Sequence, residues 1–182
     1  MAEGKTVKQF CSNGEKVIFR YPRIGDLGDM LRNINSLVDE CAYIATERRQ
    51  TKAGEKKWLA ALLSDIRKKK KVALVVVIDG RVIGVAQVDR NSKEAFSHVG
   101  SLGIGMIKDA RHRGIGRRLL LAVIGEAKKV MKIKIVSLSA VAKNRIAVKC
   151  YKECGFKKTE TMRGGIKYYG EYLDRIRMVK YL

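Results

Sequence analysis

The chain has 182 residues, of which 46% are hydrophobic, and 39 Lys and Arg against 18 Asp and Glu give a formal net charge of +21. This length and apolar content are typical of one globular domain with a sizeable core. There is no apolar run of about 18 residues and no apolar stretch near the start, so we expect a cytoplasmic protein with no membrane partner. The charge favours anionic partners, such as nucleotide cofactors, nucleic acid, acidic proteins or charged surfaces.

The first part of the chain is predicted to contain one strand and two helices. Residues 1–15 are polar, and a strand over 16–21 ends at Pro22, the only proline. Asp26 is predicted to cap the first helix. The apolar residues of that helix recur on one face, at Leu27, Met30, Leu31, Ile34, Leu37 and Val38. An irregular, charged stretch then leads to a second helix over 58–69.

Three consecutive strands follow. The β-branched run over 72–78 indicates a strand buried on both faces, and Asp79-Gly80 is a hairpin signal that leads to a strand over 81–88. The third strand, about 96–107, contains Gly100, Gly103 and Gly105. Because glycine weakens a strand interior unless something approaches closely, we interpret these glycines as a sign of ligand contact.

Helices and strands alternate in the C-terminal part of the chain. A helix over 115–131 precedes a strand over 133–141, and Asn144 is predicted to cap a short helix that Gly155 ends. The tail over 156–182 is predicted to form two strands.

This order of elements predicts an α+β fold. We expect a mixed sheet of about seven strands, flanked on both sides by about four helices. The predicted division is a polar segment over 1–15 and a single domain over 16–182. Four cysteines, at positions 11, 41, 150 and 154, include no Cys-x-x-Cys pair, so we expect reduced structural thiols and no metal site.

The most informative stretch joins the glycine-bearing strand to the helix over 115–131. Gly114 and Gly116 stand where the helix begins, and charged residues crowd the same turn: Arg111, His112, Arg113, Arg117 and Arg118. Free amides at a helix N-terminus point at an anion, glycine lets the backbone approach it, and arginine adds charge-assisted hydrogen bonds. The stretch therefore predicts a phosphate-binding loop.

Three glycine motifs compete for this loop. The Walker pattern GxxxxGK[ST] has no match in the chain, and the dinucleotide pattern GxGxxG fails because Leu119 takes the place of the third glycine. The pattern [Q/R]-x-x-G-x-[G/A] fits Arg111 to Gly116. A second cluster follows downstream, Asn144-x-x-Ala147-x-x-x-Tyr151-x-x-x-Gly155-Phe156.

With these two motifs, residues 16–182 resemble the GNAT superfamily of acetyl-CoA-dependent N-acetyltransferases. The resemblance implies acetyl-CoA as cosubstrate, no metal, and a sheet whose two central strands splay apart around the thioester. It implies that backbone amides of the loop bind the pyrophosphate and that the strand backbone pairs with the pantetheine arm. The residues implied to bind the cofactor are Ile104, Gly105, Met106, Arg111, His112, Arg113, Gly114, Ile115, Gly116, Arg117 and Asn144.

The resemblance also implies that an amine attacks the acetyl group directly and that Tyr151 protonates the departing thiolate. A base must first deprotonate the amine, because a free lysine amine has a pKa of about 10.4. Some relatives that acetylate protein N-termini carry a Glu on the strand before the Asn, but the aligned residue here is Ser139, which cannot act as a base. His98 is then the remaining titratable candidate. A structural role for His98, and for Tyr151 on its apolar stripe, stays open.

Two functions from different classes remain. One is an N-acetyltransferase acting on a primary amine, which belongs to a protein lysine, a protein N-terminus or a small molecule. The other is a basic module that binds nucleic acid or ribosomes without catalysis, supported by lysine runs such as Lys68–Lys71. No aromatic residues interleave these runs for base stacking. We expect weak polyanion binding at most, and a monomer or homodimer.

Overall fold

The computed structural model describes residues 3–182, which form one eight-stranded sheet and four α-helices. The strands are β1 Thr6–Ser12, β2 Glu15–Arg20, β3 Lys71–Ile78, β4 Arg81–Arg90, β5 Val99–Met106, β6 Ile135–Val141, β7 Lys157–Tyr168 and β8 Glu171–Tyr181. The helices are α1 Leu27–Asp39, α2 Lys52–Arg67, α3 Ile115–Met131 and α4 Arg145–Glu153.

The sheet runs in the order β1-β2-β3-β4-β5-β6-β8-β7. All neighbouring strands are antiparallel except β5 and β6, which are parallel and are joined through α3. These two strands pair only at their starts, where Val99 to Ser101 lie beside Ile135 to Ser137. Beyond that point β5 continues along β4 and β6 continues along β8, so the sheet splits in its middle. This is the splayed pair of strands that the resemblance implied.

Strand β3 is the most deeply buried strand of the sheet. Its residues from Val72 to Ile78 are all buried, as the β-branched run predicted. Helices α2 and α3 both pack on β3, with α1 beside α2 and α4 beside α3, so two helical layers cover the two faces. No helix within residues 3–182 is long and apolar enough to cross a membrane.

The N-terminal segment contains a strand that the sequence analysis did not predict. Thr6–Ser12 forms β1, which pairs antiparallel with β2 through a turn at Asn13 and Gly14. The polar alternation of an edge strand, with one face in solvent, gives little hydrophobic signal. The sheet therefore has eight strands where about seven were predicted, and residues 1 and 2 lie outside the described chain.

The prediction that the Asp26 side chain caps α1 was wrong. Asp26 does precede the helix, but its carboxylate makes no capping hydrogen bond to the helix backbone. It instead accepts two hydrogen bonds of 2.7 Å from the buried Arg20 guanidinium and one of 2.9 Å from the Arg23 backbone N–H. A charged partner within reach outcompetes the helix amides for the carboxylate oxygens.

The cap of α4 matches the prediction. The Asn144 side chain accepts a hydrogen bond of 3.2 Å from the Ala147 N–H. At the other end Gly155 adopts a φ of 87°, and the Phe156 N–H donates back to the Tyr151 carbonyl at 3.0 Å. Phe156 is buried against Tyr151, which fixes the helix beside α3.

Candidate active site

The loop between β5 and α3 presents a row of free backbone amides. Within residues 3–182 the N–H groups from His112 to Arg117 donate to no protein acceptor, and the first amide that turns back is that of Arg118, to the Gly114 carbonyl. His112 and Gly114 adopt positive φ angles of 62° and 71°, which curl the chain around this row. Such a concave set of amides at a helix N-terminus can bind an anion.

The two glycines of the loop have different roles. A Cβ at Gly114 would meet no atom within 4 Å, so the positive φ and the open space in front of it are what favour glycine. A Cβ at Gly116 would lie 3.3 Å from the Met106 sulfur, so glycine there lets α3 approach the end of β5. The open space at Gly114 leaves the amide row accessible to a ligand.

Most arginines of this turn are held by the protein itself. Arg111 donates to the Met106 carbonyl, at 3.0 Å from Nε and 2.8 Å from Nη2, and its guanidinium also pairs with the Glu40 carboxylate. Arg113 pairs with Glu15, and Arg118 lies 4.5 Å from the centre of the Phe10 ring. The exposed Arg117 has no such partner among the described residues. Arg117 is therefore the arginine best able to reach a bound phosphate.

The strand predicted to pair with pantetheine lies at the split in the sheet. Ile104, Gly105 and Met106 pair with β4 on one side, opposite Ala86, Val85 and Gly84. On the other side, no residue of β5 after Ser101 pairs with β6 in the described part of the chain. That edge of β5 is open to an extended ligand, which would add to the sheet as a further strand does.

The glycines of β5 do not all indicate ligand contact. A Cβ at Gly100 would lie 2.6 Å from Val88 and 2.8 Å from Ile133, so packing alone requires glycine there. That part of the prediction was wrong, because the close approach comes from the core. Gly103 and Gly105 instead border a cavity described below.

Tyr151 lies on the face of α4 that packs against the core, in edge-on contact with the Phe156 ring. Burial raises the pKa of its phenol to about 12, with smaller contributions from Cys150 and Cys154. The hydroxyl therefore keeps its proton at neutral pH and is available as a hydrogen-bond donor to a nearby anion. Cys150 and Cys154 are free thiols that hydrogen-bond each other; the pKa of Cys150 is raised by this bond and that of Cys154 is lowered to about 7.

His98 does not lie near the loop. It is exposed and immediately precedes β5, whereas the loop follows Met106 at the other end of that strand. At about 3.3 Å per residue the two ends are roughly 25 Å apart. Its surroundings are Lys128, Lys134 and Tyr181, at the end of the sheet where β5 and β6 pair. The structure therefore does not bring His98 together with the loop, and its role as a base stays a prediction.

A cavity of about 430 Å³ lies between α1, α2 and the split strand. Its floor is formed by β4 and β5, at Gln87 and at Gly103 to Gly105. Its walls carry Leu37 from α1 and Trp58 from α2. Glu55, buried to all but 6% of its surface, also lines it. The sequence does not distinguish Glu55 from Asp39, Glu40 and Glu47 as a carboxylate that could favour a cationic amine or lie on a solvated face, because helix periodicity alone cannot show which buried face meets a cavity.

The third wall of this cavity is the loop between α1 and α2, at Ile44 to Thr46 and Gln50. Buried Asn35 fixes that loop by accepting the Gln50 N–H at 2.7 Å and donating to the Gln50 carbonyl at 3.1 Å. The tip of the β7–β8 hairpin holds its other end, where the Tyr168 hydroxyl donates to the Ala42 carbonyl. The cavity shape is thus set by elements distant in sequence.

Comparisons with known proteins show which family this chain belongs to. The family model described as the acetyltransferase (GNAT) family matches residues 33–156. The L-amino acid N-acetyltransferase AaaT of Escherichia coli (strain K12) is 29% identical over 107 residues, which cover 59% of this chain and just under two thirds, 66%, of that protein.

Solved structures share the whole architecture. The ribosomal-protein-alanine N-acetyltransferase from Brucella melitensis superposes with a TM-score of 0.81 at 27% identity, over 90% of this chain and 99% of that chain. The phosphinothricin acetyltransferase from Sinorhizobium meliloti, in complex with acetyl-CoA, gives a TM-score of 0.79 at 19% identity, over 91% of this chain and 88% of that chain. At this identity the second likeness concerns the fold alone.

Proposed function

Because the chain belongs to the acetyltransferase (GNAT) family, we propose that it transfers the acetyl group of acetyl-CoA to a primary amine. The observation that carries this proposal is the row of free amides from His112 to Arg117 at the end of a strand whose other edge is open. A pyrophosphate at the amides and an extended arm along β5 fit these two features together.

Different residues of the chain would bind different parts of acetyl-CoA. The amides of the loop would hold the pyrophosphate, with Arg117 adding a charged hydrogen bond. Ile104 and Gly105 would pair with the pantetheine arm through their backbone. The Met106 carbonyl already accepts two hydrogen bonds from Arg111, so we expect Met106 to contribute its N–H. Asn144, as the cap of α4, would border the same cleft.

The transfer itself requires proton movements that the chain can perform. A C–N bond forms to the acetyl carbon as its C–S bond breaks, and an ammonium acceptor loses two protons overall. Tyr151 supplies one proton to the departing sulfur and regains one from the amine through solvent, so that one proton is released per turnover. A tyrosine whose pKa is raised to about 12 by burial stays protonated for this role.

The acceptor would approach through the cavity between α1 and α2, because this cavity meets the expected thioester at Gly103 to Gly105. Two of the three named proteins carry the amine in their names, L-amino acids in one and a ribosomal-protein alanine in the other. A primary amine is therefore the acceptor class we propose here. The basic-module alternative stays a prediction: Lys68 to Lys70 are exposed, while Lys71 pairs with Asp65 and Asp89.

Titration calorimetry of acetyl-CoA, followed by coenzyme A release with a panel of amines, tests the proposal. We expect one acetyl-CoA per chain and thiol release that depends on an added amine. A protein that binds no acetyl-CoA, or that binds nucleic acid with a steep salt dependence and releases no thiol with any amine, would leave the binding module as the better account.

A further inference from the structure

The cavity between α1 and α2, through which the acceptor amine would approach, is called the acceptor cavity. Its lining is mostly apolar and contains one carboxylate. The residues that supply polar side chains are Asn33, Thr46, Gln50, Glu55 and Gln87. Among the described residues that line the cavity, Glu55 is the one with an ionisable side chain. No Lys, Arg or His of residues 3–182 lines it, although the chain as a whole carries a net charge of +21.

Most polar groups of the cavity offer oxygens, and the Trp58 indole adds one N–H donor. The Asn33 amide donates to the Val82 carbonyl at 2.8 Å, and the Gln87 amide donates to Asp89 at 3.3 Å. The Gln50 amide likewise donates to Thr46 and to the Arg48 carbonyl. Within the described residues the side-chain oxygens of these three amides accept no hydrogen bond, so their acceptor capacity is free, while each amide uses at least one of its two N–H donors.

Glu55 is buried without a protein partner. It lies in the first turn of α2, whose Thr51 cap accepts the Gly54 N–H at 3.1 Å, and its own carboxylate makes no hydrogen bond or ion pair within residues 3–182. Burial accordingly raises the pKa of this carboxyl above its usual value. A buried carboxylate without a partner is costly unless a ligand supplies the positive charge.

We infer that Glu55 receives the ammonium group of the acceptor, takes its proton, and selects amines whose neighbouring atoms carry no carboxylate. This inference rests on the proposed function, since it places the amine beside the thioester at Gly103 to Gly105. In the step, the ammonium N–H bond breaks and the proton moves to a Glu55 oxygen, which leaves the amine lone pair free to attack. The proton then passes from Glu55 to solvent.

Selection against a carboxylate follows from the same set of groups. A free amino acid would bring its carboxylate within two bonds of the amine, into a cavity that offers Glu55 and amide oxygens and no cation. Like charges in a site of low polarity disfavour binding strongly. The uncharged amide of the same compound keeps the ammonium and the side chain and removes the repulsion. A peptide N-terminus has the same local chemistry as such an amide.

The matched pair L-leucinamide and L-leucine tests this directly in the wild-type protein. Values of kcat/KM are compared at one pH at which both amines are mainly in the ammonium form, because the proposed site receives the ammonium group. We expect the amide to be acetylated at least about 100-fold more efficiently. Equal efficiency, a preference for leucine, or acetyl-CoA binding without turnover of the amide would overturn the inference and leave the proposed function standing.

The variant Glu55→Gln tests the role of the carboxylate. We expect kcat/KM for leucinamide to fall about 100-fold, within the range of a lost general base, while the Kd for acetyl-CoA changes less than twofold. Glu94→Gln, an exposed carboxylate outside the cavity, serves as the matched control and should leave both values unchanged. A folded Glu55→Gln variant with wild-type kcat/KM would overturn the inference, whereas loss of acetyl-CoA binding by the wild type would overturn the proposed function instead.

Discussion

The guanidinium of Arg111 joins the end of β5 to the carboxylate of Glu40 at the end of α1. It donates twice to the Met106 carbonyl and pairs with both oxygens of Glu40. The motif arginine is thereby a brace between the strand, the loop and the acceptor side of the fold. If Arg111 acts as such a brace, a substitution of Glu40 should weaken acetyl-CoA binding. If Arg111 instead binds phosphate directly, the same substitution should strengthen it.

We predict that Arg111→Ala and Glu40→Gln both raise the Kd for acetyl-CoA, by about 10-fold and about 3-fold, because each loosens the loop. Half-buried ion pairs of this kind contribute about 1 kcal/mol. Titration calorimetry measures both values. If Arg111 bound phosphate directly, removing the competing charge of Glu40 would tighten acetyl-CoA binding, and that result would contradict the brace.

Because Gly114 lies within the row of free amides, we expect its substitution to weaken acetyl-CoA binding. Gly114→Ala places a Cβ at a φ of 71° and should destabilise the fold by about 1 kcal/mol and weaken acetyl-CoA binding at least about 10-fold. Gly80→Ala is a matched control, because Gly80 has a φ of 75°, equally open space and a position in the β3–β4 turn. We expect the control to lose similar stability in urea denaturation and to keep its affinity for acetyl-CoA. Equal losses of affinity would show that strain, rather than the loop, is responsible.

Tyr151→Phe separates proton donation from binding. We predict a fall in kcat of about 100-fold with an unchanged Kd for acetyl-CoA, while the exposed Tyr172→Phe changes neither. Because burial raises the pKa of Tyr151 to about 12, its ionisation should cause no loss of kcat between about pH 8 and about pH 10. A descending limb in that range, present in the wild type and absent in Tyr151→Phe, would contradict this pKa.

The unpaired Glu55 should lower stability at neutral pH. A carboxyl whose pKa is raised by folding binds its proton more tightly in the native state, so its contribution is favourable at low pH and is lost as the pH rises through the folded pKa. We therefore predict that Glu55→Gln raises the free energy of unfolding at pH 7 relative to the wild type, and that the difference shrinks near pH 4. Urea denaturation at the two pH values measures it. A wild type more stable than the variant at pH 7 would reveal an attractive partner.

Local patterns in the sequence predicted the α+β fold and most elements, and the resemblance carried by the two motifs implied the family and its splayed sheet. The helix over 115–131, the Asn144 cap and the Gly155 stop depend on neighbours in the chain, so periodicity and capping rules were sufficient. The matches to the family model and to full-length acetyltransferase structures confirm the family and the fold. The edge strand β1 was not predicted, because its largely polar sequence lacks a clear alternation of hydrophobic and polar residues.

The acceptor side could not be predicted in the same way. The cavity around Glu55 is assembled from two helices, two strands and a loop that Tyr168 holds from far along the chain. The sequence indicated His98 as a candidate base from its residue type alone, but the length of β5 separates it from the loop. The partners of Arg111 likewise come from elements distant in sequence. Tertiary packing, rather than the local sequence, decides which charged side chains line a cavity.

The central claim is direct transfer of an acetyl group from acetyl-CoA to an amine held at the split of the sheet. Its most direct test follows thiol release and acetylated amine together, in one reaction with acetyl-CoA and leucinamide. The account predicts one N-acetyl-leucinamide by mass spectrometry for each free thiol, and negligible thiol release without the amine. Thiol released in the absence of amine at the same rate, or with no acetylated amine formed, would contradict it.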